Sequence, residues 1–248
     1  MNAPHAPTGL LVIDKPLGRS SMDVCRAVRR RLIAGGAPKR VKVGHGGTLD
    51  PLATGVLVVL IGKATRLCDR VMAGAKRYIA EIDLSAFTTT DDREGERTEV
   101  PVVVPPSRQR VAEACGLFVG VVMQRPPIYS AIKVGGRRAY DLARRGRAEG
   151  VSLPPRPVRI DAVSLERYDW PIATVTVDCG KGVYIRSLAR DLGLALGTGG
   201  TLASLRRTKV GDWTVDQART VESLPDILTQ SELLPVLAGS GPDQPPIK

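Results

Sequence analysis

Residues Val43 to Ile61 constrain this chain more than any other stretch. The approach Val43-Gly44-His45-Gly46-Gly47-Thr48-Leu49 is rich in glycine and leads to a single carboxylate, Asp50, directly before Pro51. From Val56 to Ile61 every residue is apolar, which reads as a buried strand. An acid fixed between flexible backbone and core is one way to present a reactive group to a bulky substrate. His45 lies on the same approach and is the only histidine outside the N-terminal tail, where the other is His5. A plainer alternative makes Asp50 an N-cap with Pro51 at the first helical position. Gly55 and the apolar run behind it leave little room for that helix.

Charge narrows the partner. The 36 Lys and Arg against 25 Asp and Glu give a net +11. Such a surplus suits a polyanion, because basic side chains that neutralise phosphates release condensed counterions. A merely basic soluble protein is the alternative of equal standing. No apolar run approaches the roughly 18 residues of a membrane span, and Met1 to Thr8 has no basic signal-like start. Cys25, Cys68, Cys115 and Cys179 form no C-x-x-C pair. That argues against a zinc ribbon or a disulfide framework and for core thiols in a reducing cytoplasm. With 248 residues, 43% of them hydrophobic, the chain suffices for one large domain or for one with a small appendage.

Along the chain, Gly9 to Ile13 reads as a strand, and Ser20 or Ser21 as the cap of a helix with Asp23 in its first turn. Val24, Val28 and Leu32 share one face of that helix, with Arg26, Arg29, Arg30 and Arg31 largely elsewhere. Those arginines are either a solvated face or contacts for RNA phosphate. A helix is expected over Ala64 to Met72, and Tyr78 to Leu84 alternates as a half-buried strand. Thr88 to Glu99 reads as a polar turn, Val100 to Ser107 as a connector and Val111 to Val119 as a helix. Met123 to Arg147 is strongly basic, with Tyr129 and Tyr140 interspersed. It suits RNA contact or, as readily, a basic surface hairpin and helix. Ala173 to Cys179 is a strand, Val183 to Leu196 a helix, Leu202 to Trp213 a strand, and Gly239 to Lys248 a disordered tail. Strands and helices without βαβ alternation indicate an α+β fold.

Several chemistries drop out. No phosphate loop and no G-x-S-x-G elbow occurs. No serine is marked as a partner for His45, and no ligands cluster with His45 and Asp50 for a metal. Taken singly, Tyr78 reads equally as a core tyrosine, Arg186 as one half of a structural ion pair, and Lys15 as a solvated strand end.

Taken together they resemble a family. Leu11-Val12-Ile13-Asp14-Lys15-Pro16 with Gly18 and Ser20-Ser21, and Gly44 through Gly55, resemble the opening and the catalytic segment of bacterial tRNA pseudouridine-55 synthases, the TruB family. So do Lys76-Arg77-Tyr78, the turn Thr90 to Gly95, Gln124 to Lys133, Gly182 to Leu188, and Leu205-Arg206-Arg207-Thr208. These motifs run in family order from residue 9 to about 212.

The resemblance implies a pseudouridine-synthase fold, α+β around a mixed, mostly antiparallel sheet flanked by helices. It implies isomerisation of uridine 55 in the tRNA T-loop, with no cofactor and no metal, by a cytoplasmic monomer. By motif position, Asp50 is the catalytic aspartate, Tyr78 the tyrosine that stacks on the target base, and Arg186 the arginine that pairs with the aspartate. Lys15, Tyr184 and Leu205 correspond to pocket residues, and His45 to the histidine that enters the T-loop where the flipped base departs. Arg125, Tyr129 and Lys133 fall in what resembles the family's RNA-gripping insertion, about 123–147. The expected organisation is a tail over 1–8, a catalytic domain over 9–213 and a short segment over 214–248, too short for a PUA domain. Ser85 stands where the family usually has glycine. The rival reading is a non-catalytic tRNA-binding or folding protein using the same basic surface, and a guide-RNA-dependent synthase is a third.

Overall fold

The computed structural model describes residues 6–130, 133–134, 137–138 and 153–235. The chain forms two compact units, one of residues 1–74 and 207–248, the other of residues 75–206. Strand β12 (Thr201–Val210) carries the chain from the second back into the first.

In the first unit β1 (Gly9–Lys15) pairs antiparallel with β3 (Ala53–Ile61) along its whole length, from Gly9 opposite Ile61 to Lys15 opposite Gly55. Strand side chains alternate between faces, and here both faces are covered. Leu57, Val59 and Ile61 join Leu11 and Ile13 against α1 (Ser21–Ala34) and against Val221, Leu224, Leu228 and Leu233. Val56, Val58 and Leu60 join Leu10 and Val12 against Ala64, Val71 and Val210. Burial on both sides is why the run Val56 to Ile61 shows no polar alternation. α1 starts at Ser20, which forms a capping box with Asp23. β14 (Arg219–Thr220) runs parallel to β1, and Leu234 exchanges backbone hydrogen bonds with Leu10, both 2.9 Å.

In the second unit β4 (Lys76–Asp83), β11 (Ile172–Cys179), β10 (Arg156–Asp169) and β7 (Gly120–Gln124) pair antiparallel in that order. α4 (Ile185–Leu196) buries Leu188, Ala189 and Leu192, and ends at Gly197 in the left-handed region. α3 (Arg108–Gly116) begins with Ser107 accepting from the Arg110 amide.

Most expected elements are present, with instructive shifts. The helix expected over Ala64 to Met72 divides into a 3₁₀ segment, Gly62–Leu67, and a short α-helix, α2 (Cys68–Ala73). The polar turn carries a small hairpin, β5 (Ala86–Thr88) against β6 (Arg97–Glu99). The strand expected from Leu202 to Trp213 stops at Val210, because Gly211 turns the chain at φ 55° and Trp213 pairs back onto Val210. β10 was not anticipated at all. The disordered tail expected over 239–248 lies outside the described residues, as does most of the basic segment after Ser130.

Candidate active site

In the first unit the approach to Asp50 is tied to its surroundings through its backbone. β2 (Val43–His45) pairs with the end of β3, and the Gly46 amide donates to Val58 O at 2.8 Å. Ser21, the first residue of α1, grips Leu49 from both sides: its hydroxyl accepts from the Leu49 amide at 2.8 Å and donates to Leu49 O at 3.0 Å. Beyond Asp50, Gly18 N donates to Pro51 O at 2.8 Å, and Ala53 N to Asp50 O at 3.0 Å. Asp50 is half-buried in this tight turn, and β3 starts at Ala53, so the helix-capping alternative does not apply.

Lys15 is wholly buried rather than a solvated strand end. Its Nζ donates to Pro16 O (2.8 Å), Arg19 O (2.6 Å) and Pro51 O (3.4 Å), gathering the loop before α1 and the turn after Asp50. Burial pushes its pKa down to about 8, with the Asp50 carboxylate pulling the other way. A folded pKa below the unfolded 10.5 means that the unfolded chain holds the extra proton between pH 8 and 10.5. Stability from this group therefore rises with pH across that window. The melting temperature of the wild type, relative to Lys15→Met, is expected to climb from pH 8 to 10.5, by the equivalent of roughly 2–3 kcal/mol. A flat difference across the window would contradict the assignment.

His45 is half-buried, and its Nδ1 finds no hydrogen-bond partner among the described residues. Burial and then the nearby Arg207 charge lower its pKa, so the ring is neutral at pH 7. On the outer face of α1, Arg19, Asp23, Arg26, Arg29, Arg30 and Ile33 line a groove of about 650 Å³.

The second unit builds its own charged centre. Arg186, in the first turn of α4, is 6% exposed and ion-pairs with Asp92, itself 3% exposed, at 3.3 Å. Its guanidinium also donates to Thr90 O at 3.3 Å and to Tyr129 O at 2.8 Å. Asp92 in turn accepts from Thr90 Oγ1 (2.5 Å) and from the Glu94 amide (3.1 Å). Buried charges need this much pairing, because an uncompensated one costs several kcal/mol. Asp91, held at φ 61°, pairs with Arg190 at 2.8 Å. Gln124 clamps Tyr184 reciprocally: the Tyr184 amide donates to Gln124 Oε1 at 2.8 Å, and Gln124 Nε2 donates to Tyr184 O at 3.1 Å. The Arg125 carbonyl accepts from Ser187 Oγ and Arg190 Nη2, and Arg156 lies 5.5 Å over the Tyr184 ring. Tyr78 is buried on β4, opposite Val177 of β11, and Leu205 is half-buried on β12.

Thus Lys15, His45 and Asp50 belong to the first unit. Tyr78, Arg125, Tyr129, Tyr184, Arg186 and Leu205 belong to the second. Lys133 lies on the two-residue strand β8 (Lys133–Val134), which pairs with β9 (Arg137–Arg138). Sequence reasoning named no role for Asp92, Gln124 or Arg207, and for Ser21 only that of an alternative helix cap. Each stands inside or beside a quoted motif, which was the only signal available.

Residues 31–185 match the family model described as TruB family pseudouridylate synthase (N terminal domain). The chain belongs to the TruB family. Residues 186–237 match a second model of that family, the tRNA pseudouridylate synthase B C-terminal domain. Among TruB relatives, the tRNA pseudouridine synthase B of Paenarthrobacter aurescens (strain TC1) is 47% identical over 232 residues, covering 91% of this chain and 72% of the relative. That of Gluconobacter oxydans (strain 621H) is 46% identical over 219 residues, 87% of this chain and 62% of the relative. For Parabacteroides distasonis the figures are 42% over 222 residues, 90% and 94%. The chain therefore spans under two thirds of the Gluconobacter protein and nearly all of the Parabacteroides one.

Among solved structures, the crystal structure of a Cbf5-Nop10-Gar1 complex matches with a TM-score of 0.65 at 28% identity, over 87% of this chain and 53% of that one. The structure of an H/ACA RNP bound to a substrate RNA containing 2'-deoxyuridine matches at 0.62 and 26%, over 87% and 52%. The TruB chain thus has the expected α+β pseudouridine-synthase fold, with a mixed sheet flanked by helices. Its enzyme class is that of the TruB synthases, isomerases that make pseudouridine. No helix among the described residues is long and apolar enough to cross a membrane.

Proposed function

We propose that this chain isomerises uridine 55 in the T-loop of tRNA to pseudouridine, with Asp50 acting at C1′ of a flipped-out uridine. The observation that carries the reading is the half-buried Asp50, held in a turn whose neighbours are gripped by Ser21, Gly18 and Lys15. An ionised carboxylate on so fixed a backbone is preorganised for attack at a sugar carbon. As the C1′–N1 bond breaks, its electron pair passes to N1 of uracil. The base rotates, C5 bonds to C1′, and the hydrogen on C5 leaves as a proton. No hydride, phosphate or redox step occurs, so the reaction needs no cofactor. The family resemblance assigns Arg186 as the counter-charge for the catalytic aspartate, a role suited to a guanidinium that stays charged. The same resemblance assigns Tyr78 to stacking on the base, and gives supporting roles to Lys15, Tyr184 and Leu205.

The target base is stacked within a folded loop, and extruding it costs a few kcal/mol. His45 offsets that cost by filling the vacated position, for which a neutral ring is suited. Arg125, Tyr129 and Lys133 grip the RNA as part of an insertion over about 123–147 of a catalytic domain spanning 9–213, which residues 214–248 follow. On this reading the enzyme works as a monomer in the cytoplasm, where tRNA is. Pseudouridine mapping in tRNA treated with the purified protein tests it, alongside tritium release from C5-labelled uridine. A pure tRNA-folding protein would release none.

The exposed Arg26, Arg29 and Arg30 on α1 offer RNA phosphates a further contact. Replacing Arg26 and Arg30 by Glu is expected to weaken tRNA binding about tenfold and to lower the salt slope of log K by about 2. Affinity and slope equal to wild type would return these arginines to a solvated face.

A further inference from the structure

Arg207 stands third in the run Leu205-Arg206-Arg207-Thr208, and the proposed mechanism gives it no part. It is 1% exposed and belongs to the first unit, with Asp50. Its guanidinium spreads three hydrogen bonds over backbone carbonyls on both sides of Asp50. Nη2 donates to Gly47 O at 3.0 Å, Nη1 to Thr48 O at 3.4 Å, and Nε to Val56 O at 2.8 Å. One rigid plane therefore closes the loop that carries the aspartate, joining its glycine approach to the core strand behind it.

The local backbone is shaped to admit that plane. Gly55 sits at φ 100°, and a Cβ there would lie 2.1 Å from Arg207 O and 2.8 Å from Arg207 N. Gly47, at φ 122°, would place a Cβ 3.5 Å from Arg207 Nη1. An apolar side chain would fill the same space without the desolvation cost of a buried cation. It would also withdraw the donor that these three carbonyls share. Lysine brings charge but no planar fork, so it cannot span three acceptors in a fixed geometry. The cation's field reaches the neighbouring Lys15 and His45, whose pKa values it helps to lower.

We infer that Arg207 is a positioning residue for Asp50, acting by holding the Gly47 and Thr48 carbonyls to Val56 so that the carboxylate meets the sugar in one geometry. This rests on the reading of Asp50 as the reacting group. A misplacement of about 1 Å can cost a hundredfold in rate. In single-turnover assays at saturating tRNA, Arg207→Met is expected to lose about a hundredfold in rate and Arg207→Lys about tenfold, with Kd for tRNA within about twofold of wild type. A structural residue alone would not separate rate from affinity in this way, nor show partial rescue by lysine. Amide exchange over residues 46–50 is expected to speed up about tenfold in Arg207→Lys, while the rest of β3 stays protected. Should Arg207→Met not fold, Arg207→Lys decides by the same readings. A rate within twofold of wild type in folded Arg207→Lys, or a loss matched by an equal rise in Kd, overturns the inference. If the wild type itself makes no pseudouridine, the proposed function has failed instead. The exchange measurement then stands alone, and unchanged exchange over 46–50 overturns the role of Arg207.

Discussion

Asp50→Asn is expected to abolish pseudouridine formation on T-arm RNA, by at least about a thousandfold, while RNA affinity stays within about twofold. The substitution is nearly isosteric, so the turn has no steric reason to move. What holds the segment is backbone pairing: Leu49 with Ser21, Pro51 O with Gly18 and Lys15, Ala53 N with Asp50 O. None of these uses the Asp50 carboxylate. The amide lacks the negative charge that a nucleophile at C1′ needs, and no neighbouring group replaces it on the same turn. Tritium release from C5-labelled uridine reports the chemistry and filter binding reports the affinity. Turnover at the wild-type rate would remove Asp50 from the mechanism.

Asp92→Asn is expected to damage stability and activity together. The Arg186–Asp92 pair is almost fully buried, and removing one partner of such a pair costs about 3–5 kcal/mol. In a chain of this size that corresponds to a fall in Tm of roughly 6–20 °C. The asparagine would still accept from Thr90 Oγ1 or the Glu94 amide, but its own N–H groups would face the guanidinium. Arg186 would lose this ion pair, while its bonds to the Thr90 and Tyr129 carbonyls remain. If Arg186 has the catalytic role proposed for it, the single-turnover rate at temperatures below the unfolding transition falls about a hundredfold. Wild-type melting together with a wild-type rate would show that the pair matters for neither.

Much of the architecture was readable because local patterns and tertiary environment agree. β3 is apolar at every position from Val56 to Ile61 because both its faces are covered, and α1 carries its cap, its acidic first turn and its buried stripe in sequence. β10 was missed for the opposite reason. Its residues, Arg-Pro-Val-Arg-Ile-Asp-Ala-Val-Ser-Leu-Glu-Arg-Tyr-Asp, alternate only briefly, with Val158, Ile160 and Ala162 against Arg159 and Asp161; beyond that the pattern is broken by charge and by register shifts against β11, so the signal is too short to bound the strand. Pairing with β7 and β11 makes it a strand. Lys15 likewise reads as solvated beside Pro16, yet it is buried, with its Nζ held by two carbonyls of the loop before α1 and one of the turn after Asp50.

By itself the sequence determined the kind of chemistry: one carboxylate before a proline, a tyrosine on an alternating strand, an arginine at a helix start, and a basic surplus for a polyanion. Residue type and order along the chain suffice for that, and they carry the family. Only the tertiary structure decided what holds those groups. It set Ser21 against Leu49, Arg207 beneath Gly47 and Thr48, Lys15 under Pro51, and Asp92 against Arg186. Those partners lie between 28 and 160 positions away for Ser21–Leu49 and Arg207–Gly47, distances over which no periodicity or propensity carries information. A buried donor finds its acceptor only when the chain has closed around both, and there an unpaired polar group costs more than anywhere on the surface.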